Sequence, residues 1–192
     1  MRAMTQLPLF DTDGPRGLRY LQEFVSSQEE QELARQIAAL PLSPFEFHGF
    51  VANRRTISFG LHYAFDGSGL KPAGAFPDFL ETLRARAAGF AGVRPADLAH
   101  ALVIEYAPGA AIGWHRDRPV FGKVVGISLL APAPLRFRRK SGAKWERWTL
   151  TAEPRSAYLL AEEAREEWEH SIPPVEALRY SVTFRTLREH GP

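Results

Sequence analysis

LVIEYAPGAAIGWHRD, residues 102–117, is the stretch from which the rest of the chain is read. If Ile112 to Asp117 is extended, alternate side chains share a face, so His115 and Asp117 point the same way about 7 Å apart. An imidazole and a carboxylate at that spacing make a bite for a metal ion. They are two corners of a set of two histidines and one carboxylate, which leaves three coordination positions open. The other reading of the pair is a surface ion pair.

Outward from this stretch the texture of the sequence changes. After His100 it consists of short β-prone runs broken by Pro and Gly. Leu102–Tyr106, Ile112–Asp117, Val124–Leu130, Leu135–Arg139, Trp145–Thr151, Ser156–Leu160, Trp168–Ile172 and Leu178–Leu187 read as about eight strands. Before it, Leu18–Val25 reads as a strand. Ser27-x-x-Glu30 is a capping box opening a helix to about Leu40, with Leu33, Ile37 and Leu40 as its apolar stripe. Asp78–Gly89 reads as a second helix, followed by a helical turn at Pro95–Ala99. Helices ahead of eight short strands predict an α+β, mainly β chain, a jelly roll with helices covering one face.

The totals bound the class. A length of 192 residues with 45% hydrophobic content is enough for one globular domain. Twenty-four Lys and Arg against 22 Asp and Glu give +2, so the molecule is no polycation, although a basic face is permitted. The chain has no cysteine, which excludes disulfides and thiolate metal sites and leaves Fe(II), Mn(II) or Zn(II) on His and carboxylate. There is no run of 18 apolar residues and no signal-peptide pattern, so the expectation is a cytoplasmic protein, a monomer without membrane contact.

Residues 1–17 hold Asp11, Asp13, Gly14, Pro15 and Gly17 and read as a flexible tail ahead of a single domain, 18–192. Within the tail, Gln6-Leu7-Pro8-Leu9-Phe10 resembles the short motif by which bacterial replication and repair proteins bind the sliding clamp. Leu7, Leu9 and Phe10 could equally pack on the chain's own domain. From Phe45 to Phe65 the sequence is aromatic and β-prone, with Asn53 as a turn residue and Arg54 and Arg55 after it. Its aromatic residues suit a core or a base-stacking surface with paired cations.

The last strand is the clearest. Arg179, Ser181, Thr183 and Arg185 share one face, and Tyr180, Val182 and Phe184 the other. The apolar face suits the helices, which leaves a polar stripe toward the interior with an arginine at each end. Buried arginines need anions: the two ends of a short dicarboxylate, or two structural salt bridges. His170, in Trp168-Glu169-His170-Ser171-Ile172-Pro173, is available as a third metal corner.

Taken together, Tyr106-x-x-Gly109, His115-x-Asp117, Trp168-x-His170-x-Ile172-Pro173 and Arg179 to Arg185 with five residues between resemble the AlkB family of Fe(II)/2-oxoglutarate dioxygenases, in a form similar to its bacterial members. The resemblance runs from about Arg54 to Leu187. It implies a double-stranded β-helix over 101–187, supporting N-terminal helices and a nucleotide-recognition lid over 45–67. Iron would be held by His115, Asp117 and His170. The cosubstrate would be held by Tyr106, Arg179, Ser181 and Arg185, with Arg179 on its distal carboxylate, and O2 would complete the reaction. Substrate contacts would come from Arg54, Arg55, Tyr63, Phe65, Trp114 and Arg118, with Phe65 at the position of a base-stacking aromatic. The implied activity is oxidative demethylation of alkylated bases in nucleic acid, DNA ahead of RNA, with formaldehyde, succinate and CO2 as products. A base within a duplex would first have to leave the stack.

Three positions depart from that pattern. Ile104 and Ser181 stand where many or some members have Asn. Arg118-Pro119-Val120 follows the metal-site Asp where base-repair members often carry an acidic residue that reads an exocyclic amine. These departures motivate an oxygenase acting on a protein side chain or small molecule, and a jelly-roll nucleic-acid-binding module without catalysis is the reading from another class. The segment Arg136–Arg147, RFRRKSGAKWER, reads either as a hairpin that tracks a nucleic-acid backbone or as a charged edge that blocks strand-to-strand aggregation.

Overall fold

The computed structural model of the chain describes residues 10–11, 14–47, 50–64 and 68–188. In order the elements are β1 (Phe10–Asp11), β2 (Leu18–Leu21), α1 (Ser27–Ala38), β3 (Ser43–Phe47), β4 (Phe50–Phe59), β5 (Leu61–Ala64), β6 (Gly69–Pro72), α2 (Asp78–Ala91), β7 (His100–Tyr106), β8 (Ile112–His115), β9 (Phe121–Leu129), β10 (Ala133–Ser141), β11 (Lys144–Ala152), β12 (Ser156–Leu160), α3 (Glu162–Glu166), β13 (Glu169–Ile172) and β14 (Arg179–Leu187). Among the described residues the main sheet has eight strands in the order β1-β2-β12-β9-β14-β7-β4-β3. A four-stranded sheet, β11-β10-β13-β8, faces it. This is the jelly roll that the alternating strands predict.

Two cores meet at the main sheet, and the strict alternation of β14 shows how. Tyr180, Val182 and Phe184 pack with Leu33 and Ile37 of α1 and Leu80, Leu83 and Ala87 of α2. On the other face, Ile104, Tyr106, Val124, Tyr158 and Leu160 meet Leu135, Phe137 and Ile172 of the smaller sheet. β14 is central, antiparallel to β7 and to β9. Its polar residues fall opposite interior positions, Arg179 to Tyr106, Ser181 to Ile104 and to Ser128, and Thr183 to Gly126. The stripe is therefore enclosed between the sheets, and this enclosure creates the site.

The helix boundaries shift from their expected places. The capping box is Ser26 and Glu29, one residue earlier than expected: the Glu29 N–H donates to Ser26 Oγ at 3.1 Å, and the Ser26 N–H donates to Glu29 Oε2 at 2.7 Å. Glu30 is free to turn inward, where its Oε1 accepts from the Leu130 N–H at 2.8 Å. That contact satisfies the backbone at a non-glycine residue with φ 72°. α2 runs to Ala91 and stops at Gly92, whose φ of 65° is left-handed and ends the helical hydrogen bonding.

Other expectations are corrected. The tail does not extend to residue 17. Phe10 and Asp11 pair with Tyr20 and Arg19, the Ala161 N–H donates to Gly17 O, and Arg16 Nε lies 3.0 Å from Glu163. Gly17 permits this close approach: its φ is +85°, and a Cβ there would lie 2.2 Å from Ala161 O. Gln6, Leu7 and Leu9 lie outside the described residues. Asn53 is no turn; it sits within β4, and the chain reverses between Phe47 and Phe50. Most of the expected lid is thus a hairpin that extends the main sheet, since β4 pairs with β7 from Arg54–Tyr106 to Phe59–Ala101. The hairpin β5–β6, not anticipated, stands apart as its own two-stranded sheet. No described helix is long and apolar enough to cross a membrane.

Candidate active site

The inner face of the smaller sheet presents the two histidines. His115 ends β8 and His170 lies in β13 directly opposite it, with ring centroids 4.3 Å apart. His115 Nδ1 is 2.9 Å from Gly113 O, a contact that places the proton on Nδ1 and leaves Nε2 for a metal. Asp117 is not placed by strand alternation, because β8 stops at His115. A cross-barrel contact holds it instead: Arg185 Nε donates to Asp117 Oδ1 at 2.6 Å, and Asp117 Oδ2 lies 3.6 Å from His170 Nε2. One ligand atom from each of the three residues lies within 4.8 Å of the others.

Electrostatics favour the metal-ready form of this set. Burial, and then His115, push the His170 pKa down to about 3, so its imidazole is neutral at physiological pH. For Asp117 burial opposes ionisation, but Arg185, then His170 and His115, outweigh it and hold the carboxyl well below its usual range. The neutral His170 imidazole and the ionised Asp117 carboxylate can take a divalent cation without first losing a proton.

A narrow cavity of about 40 Å³ runs from these residues into the barrel, room for about three waters. It opens on a groove of about 1390 Å³ that shares His115, Asp117 and Arg185 with it. The match to known proteins decides the class, since residues 17–185 fit the 2OG-Fe(II) oxygenase superfamily. The chain belongs to that family. As a 2OG-Fe(II) oxygenase it uses Fe(II), 2-oxoglutarate and O2. It is AlkB-like, being 28% identical over 210 residues, 91% of this chain, to the Arabidopsis thaliana "Alkylated DNA repair protein ALKBH8 homolog". A mimivirus protein, L905 of Acanthamoeba polyphaga mimivirus, is 29% identical over 99 residues, or 45% of this chain. The matches span 59% and 47% of these two relatives' own lengths. The fold is that of OsALKBH1, with TM-score 0.67 and 17% identity over 93% of this chain and 100% of that one. It is also that of a Pseudomonas putida prolyl-4-hydroxylase, with TM-score 0.62 and 15% identity over 91% and 94%.

The 2OG-Fe(II) oxygenase core contains a fitting cation for the cosubstrate. Arg179 is fully buried; its Nε donates to Ser128 Oγ at 3.2 Å, and Nη1 and Nη2 have no hydrogen-bond partner. A buried guanidinium with two idle nitrogens is matched by a carboxylate. Arg179 does not itself line the cavity. Its guanidinium lies 4.9 Å from the ring centroid of Tyr106, which does line it, together with Ser181. Arg185, expected to share the dicarboxylate, is engaged instead with Asp117, and its Nη1 lies 3.3 Å from His100 Nδ1.

Around the groove the expected substrate residues divide. Arg54, Tyr63, Trp114 and Arg118 line it. The Arg118 guanidinium stands 5.0 Å from the Tyr63 ring centroid, linking the β5–β6 hairpin to the loop that follows Asp117. Arg55 does not line the groove; it points to the opposite face of β4, where its Nε and Nη2 each donate to Glu105 at 2.7 Å. Adjacent residues of a strand face opposite ways, so Arg54 and Arg55 could not both enter. Phe65 lies outside the described residues. Trp114 is flanked by Arg138 at 4.4 Å and Arg136 at 5.3 Å on the outer face of the smaller sheet.

Two residues escape the sequence reading. Arg165, in the charged run 162–167, is buried and donates to the carbonyls of Arg118, Phe121 and Gly122 at 2.5–2.9 Å. It fixes the loop that carries Asp117 and Arg118. Tyr158, within the strand expected over Ser156–Leu160, lines the cavity that the metal set also lines.

Proposed function

We propose that this 2OG-Fe(II) oxygenase oxidatively removes N-alkyl groups from nucleobases in nucleic acid, DNA ahead of RNA. His115, Asp117 and His170 would hold the iron, and Arg179 would hold the distal carboxylate of 2-oxoglutarate. With O2 these groups supply the oxidation of a C–H bond to C–OH, releasing succinate and CO2. A hydroxymethyl group left on nitrogen then collapses, its O–H proton moving to the ring nitrogen as formaldehyde departs. The observation that carries the reading is the groove above the triad, which joins cations to aromatic faces: Arg54, Arg116, Arg118 and Arg188 with Tyr63 and Trp114. Phosphates need the cations and an unstacked base needs the rings.

The outer face of β10–β11 extends this surface. Arg138 lies between Trp114 at 4.4 Å and Trp145 at 4.5 Å, although it also pairs with Glu169. Arg139 belongs to a different network, bound to Glu146, Glu163 and Glu167, so the hairpin is in part an internal ion-pair lattice. The name of the Arabidopsis relative, an alkylated DNA repair protein homolog, points the same way.

The test is formaldehyde release from single- and double-stranded oligonucleotides carrying a panel of N-methylated bases. Release that disappears in His115→Ala and Asp117→Ala supports the reading; succinate formation with no formaldehyde from any member of the panel ends it. Arg118-Pro119 at the rim favours a second reading, an anionic side chain or small molecule as substrate, which the same uncoupled result would promote. The pentapeptide Gln6–Phe10 is proposed to engage a sliding clamp, with binding lost in Leu9→Ala/Phe10→Ala.

A further inference from the structure

The walls of the inner cavity are apolar, formed by Ile104, Ile112, Val124, Leu135, Leu160 and Ile172, except for a few groups that must be there for a reason. At the metal end these are His115, Asp117, His170 and Arg185. The remaining polar lining is the hydroxyl-bearing side chains Tyr106, Ser181, Thr183 and Tyr158. Tyr158 is only 7% exposed, and among the described residues no hydrogen bond of its hydroxyl is seen. A hydroxyl that lines a cavity and has no protein partner is available to a group that enters the cavity.

The backbone makes room for this ring. Gly126 of β9 lies opposite Tyr158 on one side and Thr183 on the other. A Cβ at Gly126 would stand 2.1 Å from Tyr158 Cζ, 2.3 Å from its hydroxyl and 2.5 Å from Cε1. The phenol therefore lies across β9 in a space that only glycine leaves open. Among the charged side chains around it, Arg179 acts on it most strongly, ahead of Asp117 and Arg185. Burial pushes its pKa up to about 12, so it remains a proton donor at any physiological pH.

We propose that Tyr158 binds the distal carboxylate of 2-oxoglutarate, donating its phenolic proton to the carboxylate that Arg179 neutralises. A carboxylate offers about four acceptor sites. The idle Nη1 and Nη2 of Arg179 can fill two, and Ile104 on the facing strand can fill none. Tyr158 supplies a further donor from β12, and Gly126 is the space that lets it reach. The assignment rests on the cosubstrate of the family and not on the nucleic-acid reading, so it is tested without any prime substrate.

The experiment is calorimetric titration of the full-length, Fe(II)-loaded protein under anaerobic conditions with 2-oxoglutarate and with 2-oxobutyrate, which lacks the distal carboxylate. Tyr158→Phe removes one oxygen and keeps the ring over Gly126. Its Kd for 2-oxoglutarate should rise at least about tenfold, the size of a lost hydrogen bond to a charged group. Its Kd for 2-oxobutyrate should stay within about twofold, which a packing role would not produce. Tyr158→Met carries the same expectation if the Phe variant does not fold. Unchanged 2-oxoglutarate affinity, equal weakening toward both acids, or no binding of 2-oxoglutarate by the unaltered protein each overturns the assignment.

Discussion

Arg179→Met separates binding from folding in this barrel. Methionine keeps an unbranched stem beside Tyr106 and Ser128 but removes the guanidinium, whose Nη1 and Nη2 are buried without partners. Each unsatisfied polar group of this kind costs about 1–3 kcal/mol, while the bond lost to Ser128 is worth about 1.5–3 kcal/mol. With two such nitrogens relieved and one bond lost, the ligand-free variant should lie between about 1 kcal/mol less stable and about 4 kcal/mol more stable than the unaltered chain. The bound state responds in the opposite direction. Burying the distal carboxylate of 2-oxoglutarate without its cation costs about 3–5 kcal/mol, which is 100-fold to more than 1000-fold in Kd. Urea unfolding with and without 2-oxoglutarate reads both quantities. At 100 times the Kd of the unaltered chain, ligand should add about 2.7 kcal/mol to that chain and almost nothing to the variant. A variant that loses several kcal/mol without ligand yet still gains the full increment with it would refute the clamp and make Arg179 a structural residue.

Arg185→Leu should weaken divalent-metal affinity about 10- to 100-fold, measured by competition with a chromogenic chelator, because Arg185 donates directly to the Asp117 carboxylate beyond the end of β8; unchanged affinity would show that the loop fixed by Arg165 suffices to hold Asp117. Metal-free protein should lose stability as pH falls from 7 to 5. His100 and His170 are pushed down to about 3, chiefly by burial, so between about pH 6.5 and 3 the unfolded chain binds protons that the folded chain refuses. That difference removes up to about 2 kcal/mol for each histidine between pH 7 and 5. The depressed carboxylates Asp117 and Glu29, the latter at about 2, contribute only as pH falls below about 5. Urea midpoints that do not move between pH 7 and 5 would contradict the buried neutral histidines. Gly17→Ala should cost about 2 kcal/mol or more, since the φ of +85° is unfavourable for alanine and the new Cβ would meet Ala161 O at 2.2 Å; a thermal midpoint equal to that of the unaltered chain would mean that residues 14–17 do not dock on β12 and α3.

Local pattern carried much of this molecule. The period-two alternation of Arg179 to Arg185 identified both faces of β14 because both are buried and chemically opposite, apolar toward the helices and polar toward the barrel. His115, Asp117 and His170 were legible because metal chemistry needs those residue types, and the structure brings their ligand atoms together. The expected geometry of Asp117 was wrong for an instructive reason. Spacing within a strand cannot show where the strand stops, and it stops at His115. Arg55 misled similarly, because two adjacent arginines look alike in sequence while the pleat sends one into the groove and the other to Glu105.

Sequence alone determined the class of chemistry and the succession of strands, since side-chain type and hydrophobic period are properties of neighbouring residues. What only the tertiary structure decided are the pairings between residues far apart: Arg185 on Asp117, Arg165 on the carbonyls of the 118–122 loop, and Tyr158 across Gly126. These depend on which strands lie side by side, and strand order is set by the burial of whole faces. A short motif does not carry that information.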